Sequence, residues 1–318
     1  LIHRPRLGLR QTWLRRAGTD KLALRRGTQR ADRSEKLDIV VAPRRAPQVD
    51  LATIDAILSD PSEDIRLLVV LDLATEPIDA ELNCFFGNDP RLRVLRTSTE
   101  GQGLAWNYGR LHSTASHIAF VDDQCFPENG FFSDLLDLAR QTGAEVVQGL
   151  YYLIDSNGQT QMPDSAGSES AAVPHLTDFE FSKYSYRFRS PSALMAEPPS
   201  ISRRVYSRDF LEGRKIWFPV DLSSSIDFFF QTMTLRHLPN VPELDGTRLG
   251  QSIHAVSAEN QAFATLETFK ALLQRGAEEG WNDVSLVGSA FAERIMSIAK
   301  KLNFLDRREF LLLASELW

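Results

Sequence analysis

Two adjacent acidic residues, Asp122 and Asp123, follow an apolar run directly in the stretch IAFVDDQCFP at 118–127. A buried strand of this kind would hold both carboxylates rigidly and expose them at the edge of a sheet. Carboxylate oxygens suit Mg²⁺ or Mn²⁺, and a second acid can position a sugar or ribose hydroxyl. A cation held there would neutralise a pyrophosphate and make it a better leaving group. The alternative is structural, because Asp after a strand commonly caps the turn or helix that follows.

The chain before and after this pair alternates between short apolar runs and helical stretches. Five runs have the length and composition of buried strands: LDIVVAP (37–43), IRLLVVLD (65–72), LRVLR (92–96), HIAFVDD (117–123) and EVVQGLYYLI (145–154). Amphipathic stretches that predict helices lie between most of them, at 50–58, 103–114 and 131–141. This alternation predicts an α/β fold with a mainly parallel sheet covered by helices on both faces. Ligands bind such sheets at the carboxyl ends of the strands, which here are Pro43, Asp72, 96–103 and the Asp122–Asp123 pair.

The second half of the chain is less regular. Residues 155–200 are rich in Ser, Pro, Gly and Asn without a sustained period, which predicts a long loop region of the kind that binds ligands. Structure is expected again from about 201, with a helix over 228–238. Residues 260–318 have the pattern of amphipathic helices.

The composition is that of a globular protein, with 43% hydrophobic and 25% charged residues in 318. That length favours two domains or one large one. The longest apolar runs fall far short of the roughly 20 residues that cross a bilayer. Two cysteines, Cys84 and Cys125, make no disulfide framework, so a reducing, cytoplasmic location is expected.

The net charge of −6 is unevenly distributed. Residues 1–36 carry eleven Lys/Arg and three Asp/Glu, whereas the rest of the chain carries 25 and 39, a balance of −14. An acidic body argues against nucleic-acid binding. We interpret the basic arm at 1–36 as a linker or packing arm, or as a contact to a membrane surface or an upstream domain; a transit peptide has a similar composition. The chain begins with Leu1 rather than Met, so an upstream piece is expected.

Several landmarks together resemble the family-2 glycosyltransferases. The stretch GQGLAWNYG (101–109) is similar to the family pattern N-x-G-x-x-x-A-R-N-x-G, and an apolar strand with a terminal acid cluster follows it at Asp122. Upstream, VVAP (40–43) resembles the first strand of the family, and VVLDLAT (69–75) resembles the second, usually VVDDGST. The resemblance covers about 37–155 well and 200–240 weakly.

The resemblance implies the GT-A fold, a Rossmann-like nucleotide half joined to an acceptor half. It implies a nucleotide-sugar-binding half at 37–155 and an acceptor-binding half with a long loop at 156–260. The resemblance does not extend to the basic arm at 1–36 or to the helical C-terminal region at 261–318, which complete the four predicted segments. It also implies a donor site in which Pro43 lines the base pocket and Asp72 contacts the base or ribose. The same donor site would use Asp122 and Asp123 for the ribose and the metal-bound diphosphate, with a UDP-sugar as the default donor.

The sequence departs from the family pattern at the metal position. Gln124 replaces the usual third acid, and its neutral carbonyl binds a divalent cation more weakly than a carboxylate. Asp123 is the candidate ligand for Mn²⁺ or Mg²⁺ in its place. His254 is a tentative second ligand, because a His from the acceptor half completes the metal site in many GT-A enzymes; a single His in an apolar stretch is more often structural.

The resemblance also implies a catalytic base. Inverting enzymes of the family use the Asp of a Glu-Asp pair at the start of a helix, and the matching residue is Asp227, preceded by Ile226 rather than Glu. A helix N-terminus stabilises the anion, so Asp227 could deprotonate an acceptor hydroxyl. Asp221 is the substitute, and a solvent-facing or capping role for Asp227 is the alternative. The remaining departures from the pattern are Leu71, Thr99 and Trp106.

Other polar residues give weaker signals. Arg203 and Arg204 could clamp a phosphate, or could simply lie on the surface. Cys125 has no neighbouring His to activate it and is interpreted as a packing residue. A glycine-rich dinucleotide fingerprint is excluded by Trp106, and the sequence holds no P-loop and no CxxC motif.

The leading hypothesis is therefore an inverting glycosyltransferase that moves a sugar to a hydroxyl of a saccharide, a lipid-linked saccharide or a protein. The alternative is a non-catalytic GT-A-like binding module, which Gln124, Ile226 and Leu71 favour. A nucleotidyltransferase is a third possibility, against which the lack of a basic, Gly-rich loop after the first strand argues.

Overall fold

The computed structural model describes residues 35–43, 51–71, 78–98, 100–155, 158–161, 185–197, 199–222, 225–252, 258–282 and 284–317. Three sequence predictions lie wholly or almost wholly outside these residues: the basic arm at 1–36, Asp72 and His254. The described residues all belong to one compact unit, 33–318.

The described residues form one ten-stranded sheet. Its strands are β1 (Leu37–Val41), β2 (Ile65–Leu71), β3 (Leu92–Arg96), β4 (His117–Val121), β5 (Cys125–Pro127), β6 (Val146–Ile154), β7 (Thr160–Gln161), β8 (Tyr186–Arg189), β9 (Arg204–Ser207) and β10 (Val241–Ser252). All five strands predicted from apolar runs are confirmed, within about two residues at each end. Short runs of Val, Ile and Leu form these central strands because both faces of the sheet are covered.

The strand order is β3-β2-β1-β4-β9-β6-β10-β5, with β7 paired to β6 and β8 paired to β10. Strands β1 to β4 are parallel, and so are β6 and β10. β9 runs antiparallel between β4 and β6, so it marks the boundary between the two halves of the sheet. The mainly parallel sheet predicted from the sequence is therefore confirmed.

Ten helices accompany the sheet in the described part of the chain. They are α1 (Ala52–Leu58), α2 (Asp79–Phe86), α3 (Gln102–His112), α4 (Phe131–Thr142), α5 (Pro191–Ala196), α6 (Arg208–Gly213), α7 (Ile226–Leu235), α8 (Ala258–Glu279), α9 (Val284–Ala299) and α10 (Phe304–Glu316). The predicted helix at 228–238 is α7, which begins and ends slightly earlier. The region 155–200 was predicted as a long loop, but its described residues include β8 and α5.

The sheet carries a hydrophobic core on each face. Alternate residues of β1 point to opposite faces, so Ile39 packs with α1 and α4 on one side, while Val40 packs with α3 and α7 on the other. A third core lies among α8, α9 and α10, where the rings of Phe269 and Phe291 stack. The predicted helical C-terminal region is therefore confirmed. Within the described residues, no helix has both the length and the apolar character needed to cross a bilayer.

A buried carboxylate fixes the edge of the sheet opposite to the acid pair. Asp38 in β1 accepts two hydrogen bonds from Arg66 in β2, at 2.7 and 2.8 Å, and one from the Ser113 hydroxyl at 2.7 Å. The backbone N–H groups of Thr114 and Ala115 donate to it as well. Burial by itself disfavours the carboxylate, but these hydrogen bonds and the charge of Arg66 outweigh it and hold the pKa of Asp38 below its usual range.

Candidate active site

The ends of β1 and β4 bring the predicted donor residues together. The two strands are parallel and in register, with Val41 opposite Val121, and the N–H of Ala42 donates to the carbonyl of Val121 at 3.1 Å. Pro43 and Asp123 therefore each lie two residues beyond a paired position, on neighbouring strands at the same edge of the sheet. This edge is the one at which open α/β sheets bind their ligands.

Asp122 is held by its own turn. Its side chain is 2% exposed, and its Oδ1 accepts hydrogen bonds from the N–H of Gln124 and from the thiol of Cys125, each at 3.1 Å. Burial and the charge of Asp122 raise the pKa of Cys125 well above its usual value, so the thiol stays protonated and donates. Cys125 thus packs, as predicted, and also orients the acid.

Asp123 follows in the same turn and is also buried. Gln124 comes next, and its side chain is half-buried. Within the described ranges, no cluster of three or more His, Cys, Asp or Glu side chains is arranged to hold a metal ion. By residue type, the Asp123 carboxylate and the Gln124 amide oxygen could each act as a ligand to a cation. Two such ligands are too few for a metal site formed by these residues alone.

Helix α3 holds the tip of β4 in place. Gly101, before the helix, has a φ of +123°, which strongly favours glycine, and the fully buried Trp106 donates from its indole Nε1 to the carbonyl of Val121 at 3.2 Å. Val121 directly precedes Asp122. Trp106 stands where the family pattern has Arg, so this departure replaces a cation with a neutral donor that positions the acid turn.

The same helix approaches the sheet closely at Gly109. A Cβ atom there would lie 2.3 Å from Cγ1 of Val40 and 3.0 Å from Cγ2 of Val70. Only glycine permits this spacing without displacing two β-branched side chains, which accounts for the last glycine of the 101–109 stretch.

Helix α3 also holds the segment that leads to α7. Asn107 donates to the carbonyl of Phe218 at 3.0 Å and accepts from the N–H of Phe218 at 3.1 Å. One turn further on, Arg110 donates to the carbonyl of Ile216 and lies 4.0 Å above the ring of Trp217. Burial lowers the pKa of Arg110 to about 10, so the guanidinium stays charged at neutral pH.

Asp227 lies in the first turn of α7, where the helix dipole favours its anionic form. The Asp227 side chain is half-buried. Burial raises the pKa of Tyr206 in β9 to about 12, and the negative charge of Asp227 also raises it. Asp221, the substitute candidate, is exposed.

The start of α7 lies near the same sheet edge as the acid pair. Gln102, at the start of α3, donates to the carbonyl of Ala42 at 3.5 Å. The next residue, Gly103, packs closely on Pro219 and Ile226, since a Cβ atom there would lie 2.7 Å from the Pro219 carbonyl oxygen and 3.7 Å from Cδ1 of Ile226. Ile226 is buried in this contact, which explains why an apolar residue stands where the family pattern has Glu. An acid there would lose its hydration among apolar neighbours.

A buried polar network joins β6, β9, β10 and α7, and sequence patterns did not predict it. Arg204, fully buried, donates to Gln148 at 2.9 Å and to Gln231 at 2.6 Å, joining β9 to β6 and α7. Arg203 donates to Glu197 at 2.6 Å and lies 4.5 Å from the ring of Tyr151. Of the two alternatives for these arginines, the surface role is therefore wrong, because both side chains are buried and hydrogen-bonded inside the protein.

Glu243 in β10 is the acidic centre of that network. It accepts from Arg189 at 2.9 Å and from Arg187 at 2.8 Å, and Gln148 donates to it at 2.5 Å. Burial alone would raise its pKa, but the charges of Arg203 and Arg189 lower it overall. The only sequence signal was an excess of Arg in the two short segments 187–189 and 203–204.

Comparisons with known proteins agree with this arrangement. A family model described as Glycosyl transferase family 2 matches residues 39–201, just over half of the chain. An uncharacterized glycosyltransferase, EpsJ of Bacillus subtilis (strain 168), is 23% identical over 193 residues, which cover 60% of this chain and 54% of EpsJ. An uncharacterized glycosyltransferase of Rickettsia bellii (strain RML369-C) is 26% identical over 145 residues, covering 44% of this chain and 20% of that protein. This chain therefore spans about half the length of EpsJ and a fifth of the Rickettsia protein.

Solved structures show the same fold. Residues 1–349 of TarS from S. aureus, crystallised with UDP, superpose with a TM-score of 0.62 at 16% identity, covering 89% of this chain and 80% of that one. The same TarS fragment with UDP-GlcNAc gives a TM-score of 0.61 at 15% identity and the same coverage. This likeness confirms the predicted GT-A fold.

Proposed function

Because the chain belongs to glycosyl transferase family 2, we propose that it transfers a sugar from a nucleotide-diphosphate donor to the hydroxyl of an acceptor, with inversion at the anomeric carbon. The observation that carries this proposal is the placement of two buried acids at the tip of β4, beside the end of β1, at the ligand-binding edge of the sheet.

The donor would lie along that edge. Pro43 would border the base, Asp72 would contact the base or ribose, and Asp122 and Asp123 would meet the ribose and diphosphate. A UDP-sugar is the first donor to test, since the TarS fragment was solved with UDP and with UDP-GlcNAc. The rigid turn around Asp122 supports this role, because a site held by backbone and thiol hydrogen bonds costs little reorganisation on binding.

Asp227 would act as the base. Its carboxylate takes the proton of the acceptor hydroxyl while that oxygen bonds to the anomeric carbon, and the bond from this carbon to the diphosphate breaks, with the electron pair leaving on the diphosphate oxygen. Asp227 lies in the first turn of α7, where the helix dipole stabilises the carboxylate, the form that can accept a proton.

A divalent cation, Mn²⁺ or Mg²⁺, would neutralise the departing diphosphate when bound. Asp123 is the described residue that would hold it, with His254 as a tentative second ligand. Since Gln124 replaces a carboxylate, we expect weaker cation binding than a complete acid cluster would give.

The acceptor would be a saccharide, a lipid-linked saccharide or a protein, bound by the region 156–260, which includes the start of α7. We also propose a cytoplasmic location, which rests on the two free cysteines, Cys84 and Cys125.

A non-catalytic module is the second candidate. The replacement of two family acids by Gln124 and Ile226 favours it. Ile226 is buried, so its position forms part of the hydrophobic core. Such a module would bind the nucleotide-sugar without transferring it.

Product formation from UDP-GlcNAc and other UDP- and GDP-sugars, followed by NMR of the anomeric proton, separates the two candidates. We expect an inverted product from the wild type and a transfer rate at least about 100-fold lower for Asp227→Asn, because a positioned base contributes about that much. Asp55→Asn, an exposed acid in α1, is the matched control and should transfer normally. Donor binding with no transfer by the wild type would favour the binding module instead.

A further inference from the structure

The exposed large apolar side chains are concentrated near the end of the chain. Nine are exposed in the described part of the chain, and five of them lie within the last 23 residues: Met296, Phe304, Leu305, Leu311 and Leu312. Four of the five belong to α10. Single exposed apolar residues are ordinary, but such a concentration on one element indicates a binding surface.

These four residues share one side of α10. Positions 304, 308, 311 and 312 recur at the spacing of one helix face, so Arg308 lies in the middle of the four apolar side chains. We call Phe304, Leu305, Arg308, Leu311 and Leu312 the α10 face.

The opposite side of α10 already supplies what the fold needs. Phe310 and Ala314 are buried in the C-terminal core with α8 and α9. The α10 face takes no part in that core: Phe304 is 77% exposed and Leu305 is 72% exposed. Packing among the described residues therefore gives no reason for apolar side chains at these positions.

Basic residues surround the exposed end of α10. Lys300, Lys301, Arg307 and Arg308 are all exposed, and Asp306, the one acid within 296–308, is engaged by the side chain of Asn303. Glu309 and Glu316 flank the α10 face beside Leu305 and Leu312, so the positive charge is concentrated at residues 300–308, at the N-terminal end of the helix. Against a body that carries 39 acidic and 25 basic residues after position 36, this segment is a local positive region.

The combination of protruding apolar side chains with a basic border matches the chemistry of an anionic lipid surface. A second copy of this chain fits less well, because a two-fold pairing centred on the α10 face would bring Arg308 against its own copy. An acidic membrane surface complements the lysines and arginines and accepts the apolar side chains between its headgroups.

We propose that the α10 face docks this protein on the surface of a bilayer that contains anionic phospholipids. Phe304 and Leu305 enter the boundary between headgroups and acyl chains, while Lys300, Lys301 and Arg308 contact lipid phosphates. The helix lies on the membrane and does not cross it. This inference is independent of the sugar transfer proposed above.

Sedimentation with vesicles of phosphatidylcholine and phosphatidylglycerol tests the apolar part. Phe304→Glu should weaken partitioning about tenfold or more, since it removes a large apolar side chain from the interface and adds a negative charge. Phe85→Glu, the same change at a side chain of α2 that is 69% exposed, is the control and should bind like the wild type.

A second pair of variants tests the charges. The double variant Lys300→Gln/Lys301→Gln should lose about tenfold or more in partitioning to the anionic vesicles, and the loss should shrink as salt is added. Arg93→Gln/Arg214→Gln removes the same charge from exposed sites elsewhere and should change partitioning much less.

Three results would overturn the proposal: wild-type protein that does not sediment with anionic vesicles, Phe304→Glu that partitions like Phe85→Glu, or equal binding to pure phosphatidylcholine. Light scattering gives a fourth, namely a wild-type dimer that Phe304→Glu converts to monomer, which would make the α10 face an interface between copies.

Because the substituted side chains are exposed, the melting temperatures of the variants should match that of the wild type. If Phe304→Glu melts early, Leu312→Glu replaces it.

Discussion

Replacing Asn107 by alanine tests whether helix α3 positions the segment that carries the candidate base. The Asn107 side chain forms two hydrogen bonds with the backbone of Phe218, one in each direction, at 3.0 and 3.1 Å. Phe218 lies eight residues before the start of α7 at Ile226, and Asp227 lies in the first turn of that helix. Loss of the side-chain amide should therefore affect both stability and transfer.

The magnitude follows from the two bonds. Each contributes about 1 kcal/mol net, and both partner groups on Phe218 would be left without their side-chain partner, so Asn107→Ala should destabilise the fold by about 2–3 kcal/mol. Asn107→Asp keeps the acceptor for the N–H but places a carboxylate against the carbonyl, so it should restore little of this stability. The transfer rate should fall while donor affinity stays near the wild-type value, because the turn that carries Asp122 contacts α3 through Trp106 and not through Asn107.

Urea unfolding followed by circular dichroism measures the first effect, and parallel transfer and calorimetric titrations measure the second. Gln141→Ala, at an exposed position of α4, is the control and should change the free energy of unfolding by less than about 0.5 kcal/mol. If Asn107→Ala is as stable as that control, or if it loses donor affinity and transfer in equal measure, the positioning argument is wrong.

Three further outcomes follow from the structure. The pKa of Asp38 is lowered in the folded state, so its contribution to stability is present above the ordinary carboxyl pKa of about 4 and is lost as pH falls through the lower folded value. The stability of Asp38→Asn should therefore fall less steeply with pH in acid unfolding than that of the wild type. Parallel acid-unfolding curves for the two proteins would contradict this. Gly109→Ala should cost about 1–3 kcal/mol of unfolding free energy in denaturant titrations, because its methyl group would meet Val40 and Val70; an unchanged midpoint would refute the close packing. Trp106→Phe should cost at least about 1 kcal/mol and weaken donor binding in calorimetry, since the carbonyl of Val121 loses its indole donor; full donor affinity would show that the acid turn does not depend on this bond.

The central strands were predictable from the sequence because their physical cause is local. A strand covered on both faces must be apolar throughout, so runs such as 37–41 and 117–121 stand out from their polar surroundings. The edge at which Asp122 and Asp123 lie followed from the parallel order of those strands. Their position beside Pro43 is as that reasoning expected, but both side chains are buried, whereas acids at a strand end were expected to be exposed.

Strand β10 was not predictable in the same way. Its sequence, VPELDGTRLGQS, contains Pro, Gly and three charged residues, and the register shifts between Leu244 and Arg248. Its pairing partners β6, β8 and β5 come from distant parts of the chain, and Glu243 is accommodated only because several Arg side chains reach it. Such a strand is specified by tertiary contacts rather than by its own periodicity.

The contacts that α3 makes were also not predictable from the sequence. The pattern at 101–109 gave a family resemblance, but its spacing does not show that Trp106 binds the end of β4 or that Asn107 binds Phe218, 111 residues away. An Asn in the middle of a helix, where it is not favoured, was the one local sign of a tertiary contact.

Calorimetric titration of UDP-GlcNAc and related nucleotide-sugars into the wild type and Asp123→Asn, with and without Mn²⁺, tests the claim that the acids at the end of β4 bind an activated sugar. At least one donor should bind the wild type, and its affinity should fall about tenfold or more in Asp123→Asn, because a charge-assisted contact is lost. Asp55→Asn should bind like the wild type. Equal affinity of wild type and Asp123→Asn, or no binding of any nucleotide-sugar to the wild type, would contradict the account.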